Sequence, residues 1–143
     1  VVMGEVELVS RLIEGRYPDY EQIIPNTSKT QVIVDTNELI RAVKQASLCC
    51  SGGVNDVHLT FGPEQGLTVA ASSQQLGESS STLQASVTGE KNRIVFNYRY
   101  LLDGLQNIGT PEVVLEVVND AAPGVLRPVN DKTYLYLIMP IKQ

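Results

Sequence analysis

The sequence has few of the residues on which enzymes and metal proteins depend. Among 143 residues there is one histidine, His58, there are two cysteines, and there is no tryptophan. Cys49 and Cys50 are adjacent, and because a disulfide at that spacing is strained, reduced thiols are expected. No apolar run approaches the roughly 20 residues needed to cross a bilayer. We therefore expect a soluble, cytoplasmic protein.

Catalytic motifs are also missing from the sequence. It contains no phosphate-binding glycine loop and no HExxH or CxxC pattern. His58 falls at an outward position of a predicted strand with no nucleophile motif beside it, and no carboxylates pair at a spacing suited to acid–base chemistry. At a predicted helix end, Cys49 and Cys50 are better explained as small apolar residues than as metal ligands. The prediction is a non-catalytic protein without metal or cofactor.

Charge and composition narrow the possible partners. The formal net charge is −5, from 11 basic and 16 acidic residues, which argues against wrapping nucleic acid over the whole surface but permits one local basic face. With 43% hydrophobic and 6% aromatic residues, the composition is that of one globular domain. The chain begins with Val1 instead of methionine, so we expect it to be part of a longer protein.

The hydrophobic pattern of the chain occurs twice. Asp35, with Glu38 three residues on, predicts the start of one helix, and Asn97 predicts the start of a second. The apolar stripe of the first helix recurs 62 residues later in the second, as Leu39, Ile40, Val43 and Ala46 and then Leu101, Leu102, Leu105 and Ile108. Alternating strands follow each helix. We predict an α+β fold made of a duplicated β-α-β-β-β unit, with two helices side by side on one face of an antiparallel sheet.

Two groups of side chains are candidates for binding. Arg41 and Lys44 on the first helix, and Arg99 with Lys91 on or just before the second, would present a basic face together, although a solvated helix surface is the simpler explanation of their spacing. Apolar, aromatic and proline residues also concentrate at both ends of the chain. Core packing accounts for about half of these residues.

Three segments carry a resemblance to a known family. They are LIEGRYPDYEQIIP at 12–25, FNYRYLLDGLQNI at 96–108 and YLYLIMPI at 134–141. In order and spacing they resemble the bacterial sliding clamp, the beta subunit of the replicative DNA polymerase. The resemblance implies the DNA-clamp fold, with residues 1–25 as the last strand of a preceding domain and an interdomain linker, and residues 26–143 as the third, C-terminal domain.

The same resemblance implies a function and a set of site residues. A sliding clamp is a non-catalytic processivity factor that encircles duplex DNA without sequence preference, forms a head-to-tail homodimer at full length, and tethers polymerases, the clamp loader and repair proteins through short hydrophobic motifs. The implied peptide-binding cleft comprises Pro18, Ile23, Asn97, Tyr100, Ile138, Met139, Pro140 and Ile141. The implied DNA-facing residues are Arg41, Lys44 and Arg99, and the implied interface between subunits is formed by Leu48, Cys49 and Cys50. Gln22 departs from the basic residue that the family often has at its position.

Two other functions fit parts of the sequence. A free-standing protein-interaction module with the same fold that never closes a ring fits the composition equally well. A duplicated α+β enzyme fits the fold but lacks catalytic residues. The number of further domains of the same repeat in the parent gene distinguishes the clamp from the free-standing module.

Overall fold

The computed structural model describes residues 2–15, 17, 19–50 and 55–142. Within these ranges a short 3-10 helix at Tyr20–Gln22 precedes most of the regular structure. The helices and strands, in chain order, are β1 (Val2–Met3), β2 (Val6–Glu7), β3 (Thr30–Asp35), α1 (Thr36–Ser47), β4 (Asp56–Gly62), β5 (Gly66–Ser73), β6 (Gly77–Leu83), β7 (Ala85–Gly89), β8 (Asn92–Asn97), α2 (Tyr98–Gln106), β9 (Glu112–Val117), β10 (Gly124–Pro128) and β11 (Tyr136–Ile138).

Two antiparallel sheets form the body of the domain. Their strand orders are β11-β10-β9-β3-β7 and β6-β5-β4-β8. The chain from Gly77 to Gly89 belongs to both sheets, since β6 pairs with β5 and β7 pairs with β3. The second repeat crosses in the same way, because β11 pairs with β10 and the backbone N–H of Ile141 then donates to the Val95 carbonyl of β8 at 2.8 Å. The duplicated β-α-β-β-β unit is confirmed, and the single sheet of the prediction is two sheets joined by these crossing strands.

The two helices begin at the predicted capping residues. The Asp35 carboxylate accepts a hydrogen bond from the Glu38 backbone N–H at 2.8 Å, and the Asn97 side-chain oxygen accepts one from the Arg99 N–H at 3.0 Å. Each cap satisfies one of the N–H groups that a helix start leaves without an intrahelical partner. Both caps are therefore confirmed.

The helices pack against each other and against strands of both sheets. α1 contacts β3, β4, β5 and β6, while α2 contacts β8 and β11. The predicted stripes face inward, since Leu39 and Val43 of α1 and Leu101 and Leu105 of α2 have no exposed surface. Burial of each such side chain contributes about 1.5–3 kcal/mol. The Phe96 ring also packs against Gly124 of β10 in the core.

The N-terminal residues form a small hairpin of their own. β1 pairs only with β2, and their residues are exposed. The sequence pattern predicts one short strand from Val6 to Leu12, but the strand ends at Glu7, because no further strand in the described residues pairs with this segment. The assignment of residues 1–25 to a preceding domain and linker stays a prediction. Lys91 lies in the turn between β7 and β8 and not next to α2, which corrects its predicted place.

Candidate functional site

The C-terminal segment of the predicted cleft leaves the sheet just after β11. Ile138 is only 2% exposed and belongs to the core, whereas the next residue, Met139, is 61% exposed. Pro140 and Ile141 are half-buried, and the Ile141 N–H holds the segment on β8. The sequence alternates between the two faces of the strand, which is why Ile138 is buried while Met139 faces outward. Met139 is therefore the exposed apolar side chain of this segment, and Ile138 anchors the segment in the core.

The start of α2 supplies two more of the predicted cleft residues. The Asn97 side chain is engaged in capping the helix, so it orients the first turn. Tyr100, in that first turn, is 59% exposed. The Tyr98 N–H donates to the Asn55 carbonyl at 2.8 Å and ties the turn to the residue before β4. This end of α2 is held in place while the Tyr100 ring stays accessible.

The linker side of the cleft is built on the short 3-10 helix. The Asp19 carboxylate accepts hydrogen bonds from the Glu21 backbone N–H at 3.2 Å and from the Gln22 side-chain amide at 2.8 Å. Ile23, at its end, is 47% exposed. Pro18, another predicted cleft residue, lies outside the described residues.

The end of the linker and β10 line the same hollow in the surface. Pro25 lines a small hollow together with Val125 of β10. Val125 is the register partner of Leu137 on β11, two residues before Met139. The linker end therefore lies near β10, the strand that pairs with β11. The direct contact of Ile23 with Met139 stays a prediction.

The predicted DNA-facing side chains are all exposed on the helices. Arg41 and Lys44 point to solvent on α1, and Arg99 does so on α2. The Arg99 guanidinium lies 5.8 Å from the Tyr98 ring centroid and donates to the Tyr98 hydroxyl at 3.4 Å. The hydrogen bond to Tyr98 raises the pKa of Arg99 from its ordinary value, and this guanidinium is a cation with or without that contact. Acidic Asp103 is also exposed on α2, which dilutes the basic face.

The predicted interface between subunits lies at the end of α1. Leu48 is 75% exposed, while Cys49 and Cys50 are half-buried and unpaired as a disulfide. The Cys50 thiol donates to the Asp56 carbonyl at 3.2 Å. Burial, followed by the nearby Asp56 and Cys49, raises the pKa of Cys50. The hydrogen bond and the raised pKa both favour the thiol form of Cys50, and its role at a subunit interface stays a prediction.

Several polar groups outside these regions make local contacts with one another. His58 Nε2 lies 3.5 Å from the Asp56 carboxylate on the same strand. On the outer face of the five-stranded sheet, the Glu116 carboxylate accepts from Arg127 at 3.2 Å and from Gln31 at 3.3 Å. Across the described ranges, no three His, Cys, Asp or Glu side chains cluster as metal ligands do, and no helix there is long and apolar enough to cross a membrane.

Two tyrosines of the C-terminal aromatic concentration stack beside α2, an arrangement that the sequence analysis did not predict. Tyr134 and Tyr136 lie two residues apart, and their rings are parallel within 6° with centroids 6.5 Å apart. The alternation in TYLYLI was the available signal, because residues two apart on a strand share a face. Their packing against Gly104 of α2 had no signal in the sequence.

Comparisons with known proteins agree with this architecture. Residues 21–142 match the family model described as DNA polymerase III beta subunit, C-terminal domain. The beta sliding clamp of Synechococcus elongatus is 32% identical over 140 residues, which cover 97% of this chain and 37% of that protein. The beta sliding clamp of Bacillus subtilis is 33% identical over 135 residues, 93% of this chain and 36% of that protein. The chain thus spans little more than a third of the length of these relatives.

Solved structures show the same relationship. The crystal structure of the Bacillus subtilis sliding clamp matches 94% of this chain and 36% of its own with a TM-score of 0.89 at 33% identity. The sliding clamp of Bartonella birtlesii bound to griselimycin matches 94% of this chain and 36% of its own with a TM-score of 0.86 at 30% identity. These relatives are non-catalytic polymerase subunits, in agreement with the prediction that the chain is not an enzyme. With its family model matched over most of its length, the chain belongs to the DNA polymerase III beta subunit family, as a C-terminal domain.

Proposed function

We propose that this chain is the third domain of a processivity clamp whose full-length protein closes into a ring around duplex DNA in the cytoplasm. The match over residues 21–142 to the C-terminal domain of the beta subunit family carries the proposal. The exposed Arg41, Lys44 and Arg99 on adjacent helices support it. A ring stays on DNA by topology, so a few cations near the phosphates suffice and weak contacts permit sliding.

We infer further that this domain supplies half of a hydrophobic cleft that tethers polymerases, the clamp loader and repair proteins. Three exposed apolar groups support the cleft: Ile23 at the linker, Tyr100 at the start of α2, and Met139 after β11. Large side chains of this kind are usually buried or covered by a partner when they cluster. A flexible Met can repack around different partner peptides, which suits a surface that many proteins share in turn.

Binding of griselimycin to the full-length protein tests the cleft, because a related clamp is seen bound to it. We expect Met139→Glu to weaken binding at least tenfold in isothermal titration calorimetry, since a ligand covering this position would desolvate an unpaired carboxylate. Leu76→Glu, which places the same charge on an exposed apolar residue in the β5–β6 turn, is the matched control and should bind normally. Equal affinity of the Met139→Glu and control proteins would refute the cleft assignment.

A further inference from the structure

Two tyrosines at the β11 end are fixed against α2. The Tyr134 hydroxyl donates to the Gly104 carbonyl at 3.1 Å. The Tyr136 ring lies so close to Gly104 that a Cβ there would be 2.5 Å from its Cδ1 atom. With their rings parallel, the two tyrosines form a rigid aromatic wall beside the helix.

An exposed tyrosine and an exposed carboxylate stand next to this wall. Tyr100, Asp103 and Gly104 lie three and four residues apart on α2, so they share one face of the helix. The Asp103 carboxylate has no hydrogen-bond or ion-pair partner among the described residues, and only its backbone carbonyl accepts a hydrogen bond, from the Asn107 side chain. Burial, then Asp103, Tyr134 and Tyr100, raise the pKa of Tyr136. Because Tyr134 and Tyr136 both contact Gly104, their rings lie beside the part of α2 that carries Tyr100 and Asp103.

We propose that Tyr100, Asp103, Tyr134 and Tyr136, the tyrosine–aspartate face, bind an arginine or lysine side chain of a partner protein. The faces of tyrosine rings attract cations, and the unpaired Asp103 carboxylate supplies the counter-charge. An apolar side chain would gain nothing from Asp103, and the carboxylate would repel a nucleic acid phosphate. A guanidinium is favoured over an ammonium because it is planar, stacks on aromatic rings and is more weakly hydrated.

This inference rests in part on the proposed function, because Tyr100 also belongs to the predicted peptide cleft. The tyrosine–aspartate face would then contact a basic residue that flanks the hydrophobic motif of a partner.

Titration of the chain with N-acetyl-arginine amide, followed by backbone amide shifts in NMR, tests the proposal. We expect saturable shifts at Tyr100, Asp103 and Gly104, and binding about fivefold weaker for N-acetyl-citrulline amide, which has the same shape without the charge. Equal binding of the two probes, or shifts confined to other acidic positions such as Glu21, would overturn it. Neither probe carries a hydrophobic motif, so this result is independent of griselimycin binding in the cleft.

Variants distinguish the contribution of the Asp103 carboxylate to arginine binding from that of the tyrosine rings. Asp103→Asn should weaken arginine binding about threefold to fivefold, Tyr100→Phe should retain it, and Tyr100→Leu should reduce it. Tyr100 and Asp103 are exposed, so these changes leave the core intact, and the dispersion of the amide spectrum verifies folding. Glu64→Gln, which removes an exposed carboxylate from the β4–β5 turn, is the matched control and should bind as the unaltered chain does. Unchanged affinity in Asp103→Asn contradicts the proposal.

Discussion

At the scale of the residue, the packing of α2 on the C-terminal segment depends on one glycine. Gly104 is buried and faces the Tyr136 ring, and its carbonyl accepts the Tyr134 hydroxyl. Glycine inside a helix costs roughly 0.8–1.0 kcal/mol relative to alanine, so helix propensity alone would favour a replacement. The close approach of the ring explains why glycine fits here.

Gly104→Ala should destabilise the domain by about 1–2 kcal/mol, because the displaced ring costs more than the gain in helix propensity. Urea unfolding measures the difference. Gly109→Ala is the matched control, since a Cβ at Gly109 meets nothing within 4 Å and should leave stability nearly unchanged. Equal stability of the two variants would show that the Tyr136 ring moves aside freely.

The raised pKa of Tyr136 predicts how the stability of the domain changes at alkaline pH. Its pKa is raised above the ordinary value near 10, chiefly by burial and then by Asp103, so the folded state holds the phenol proton more tightly than the unfolded state does. The contribution to stability is therefore complete below pH 10 and is lost as the pH rises through 10 towards the raised value. Tyr136→Phe should show a smaller fall in urea-unfolding free energy between pH 9 and 11 than the unaltered chain, and an identical fall would contradict this assignment.

At the scale of the element, the exposed face of α1 carries the cations of the proposed DNA contact. Arg41 and Lys44 lie three residues apart and are both exposed, while Leu39 and Val43 face the core. The division of the helix into an apolar and a basic side follows from its periodicity. Changes on the basic side can therefore be made without disturbing the packing of the helix.

The double change Arg41→Gln with Lys44→Gln should weaken binding of the full-length protein to short linear duplexes equally for different sequences. It should also lower the slope of log affinity against log salt by about 2, because each lost phosphate contact releases about one fewer counterion. Fluorescence anisotropy over a salt series measures both quantities. Lys29→Gln with Lys132→Gln removes the same charge from outside the two helices and is the control. A larger loss of DNA affinity in this control than in the α1 variant would show that DNA does not contact the exposed face of α1.

At the scale of the whole molecule, the exposed end of α1 is the proposed point of ring closure. Leu48 is exposed with half-buried Cys49 beside it, so the described residues leave an apolar surface uncovered here. In a head-to-tail assembly such a surface would be covered by the neighbouring protomer. The chain spans only about 37% of its relatives, and the rest of the ring would come from the remaining length.

If the full-length protein is the proposed head-to-tail dimer, Leu48→Lys with Cys49→Asp should convert it to monomers, since closure would bury unpaired charges. Sedimentation velocity at micromolar concentration gives the assembly state. Gln65→Lys with Pro63→Asp introduces the same charges on the exposed β4–β5 turn and should remain dimeric. A dimer in the first variant would show that these residues do not close the ring.

The sequence by itself determined the features that depend on neighbours along the chain. The caps at Asp35 and Asn97 and the two apolar stripes follow from spacing within a few residues, and the repeat follows from the recurrence of that local pattern; each is confirmed. The resemblance of three short segments identified the family for the same reason, since it needs only the order of residues.

Only the tertiary structure decided the features that join residues far apart in the chain. The serine-rich run of β6 has little strand propensity, yet it is a strand because β5 offers it a full ladder of hydrogen bonds. Other features likewise depend on partners that local periodicity does not specify. They are the hydrogen bond from Ile141 to β8, the hollow lined by Pro25 and Val125, and the packing of Tyr136 on Gly104. Contacts of this kind form when the two sheets and the helices bury a common core, so no pattern in a short window of sequence encodes them.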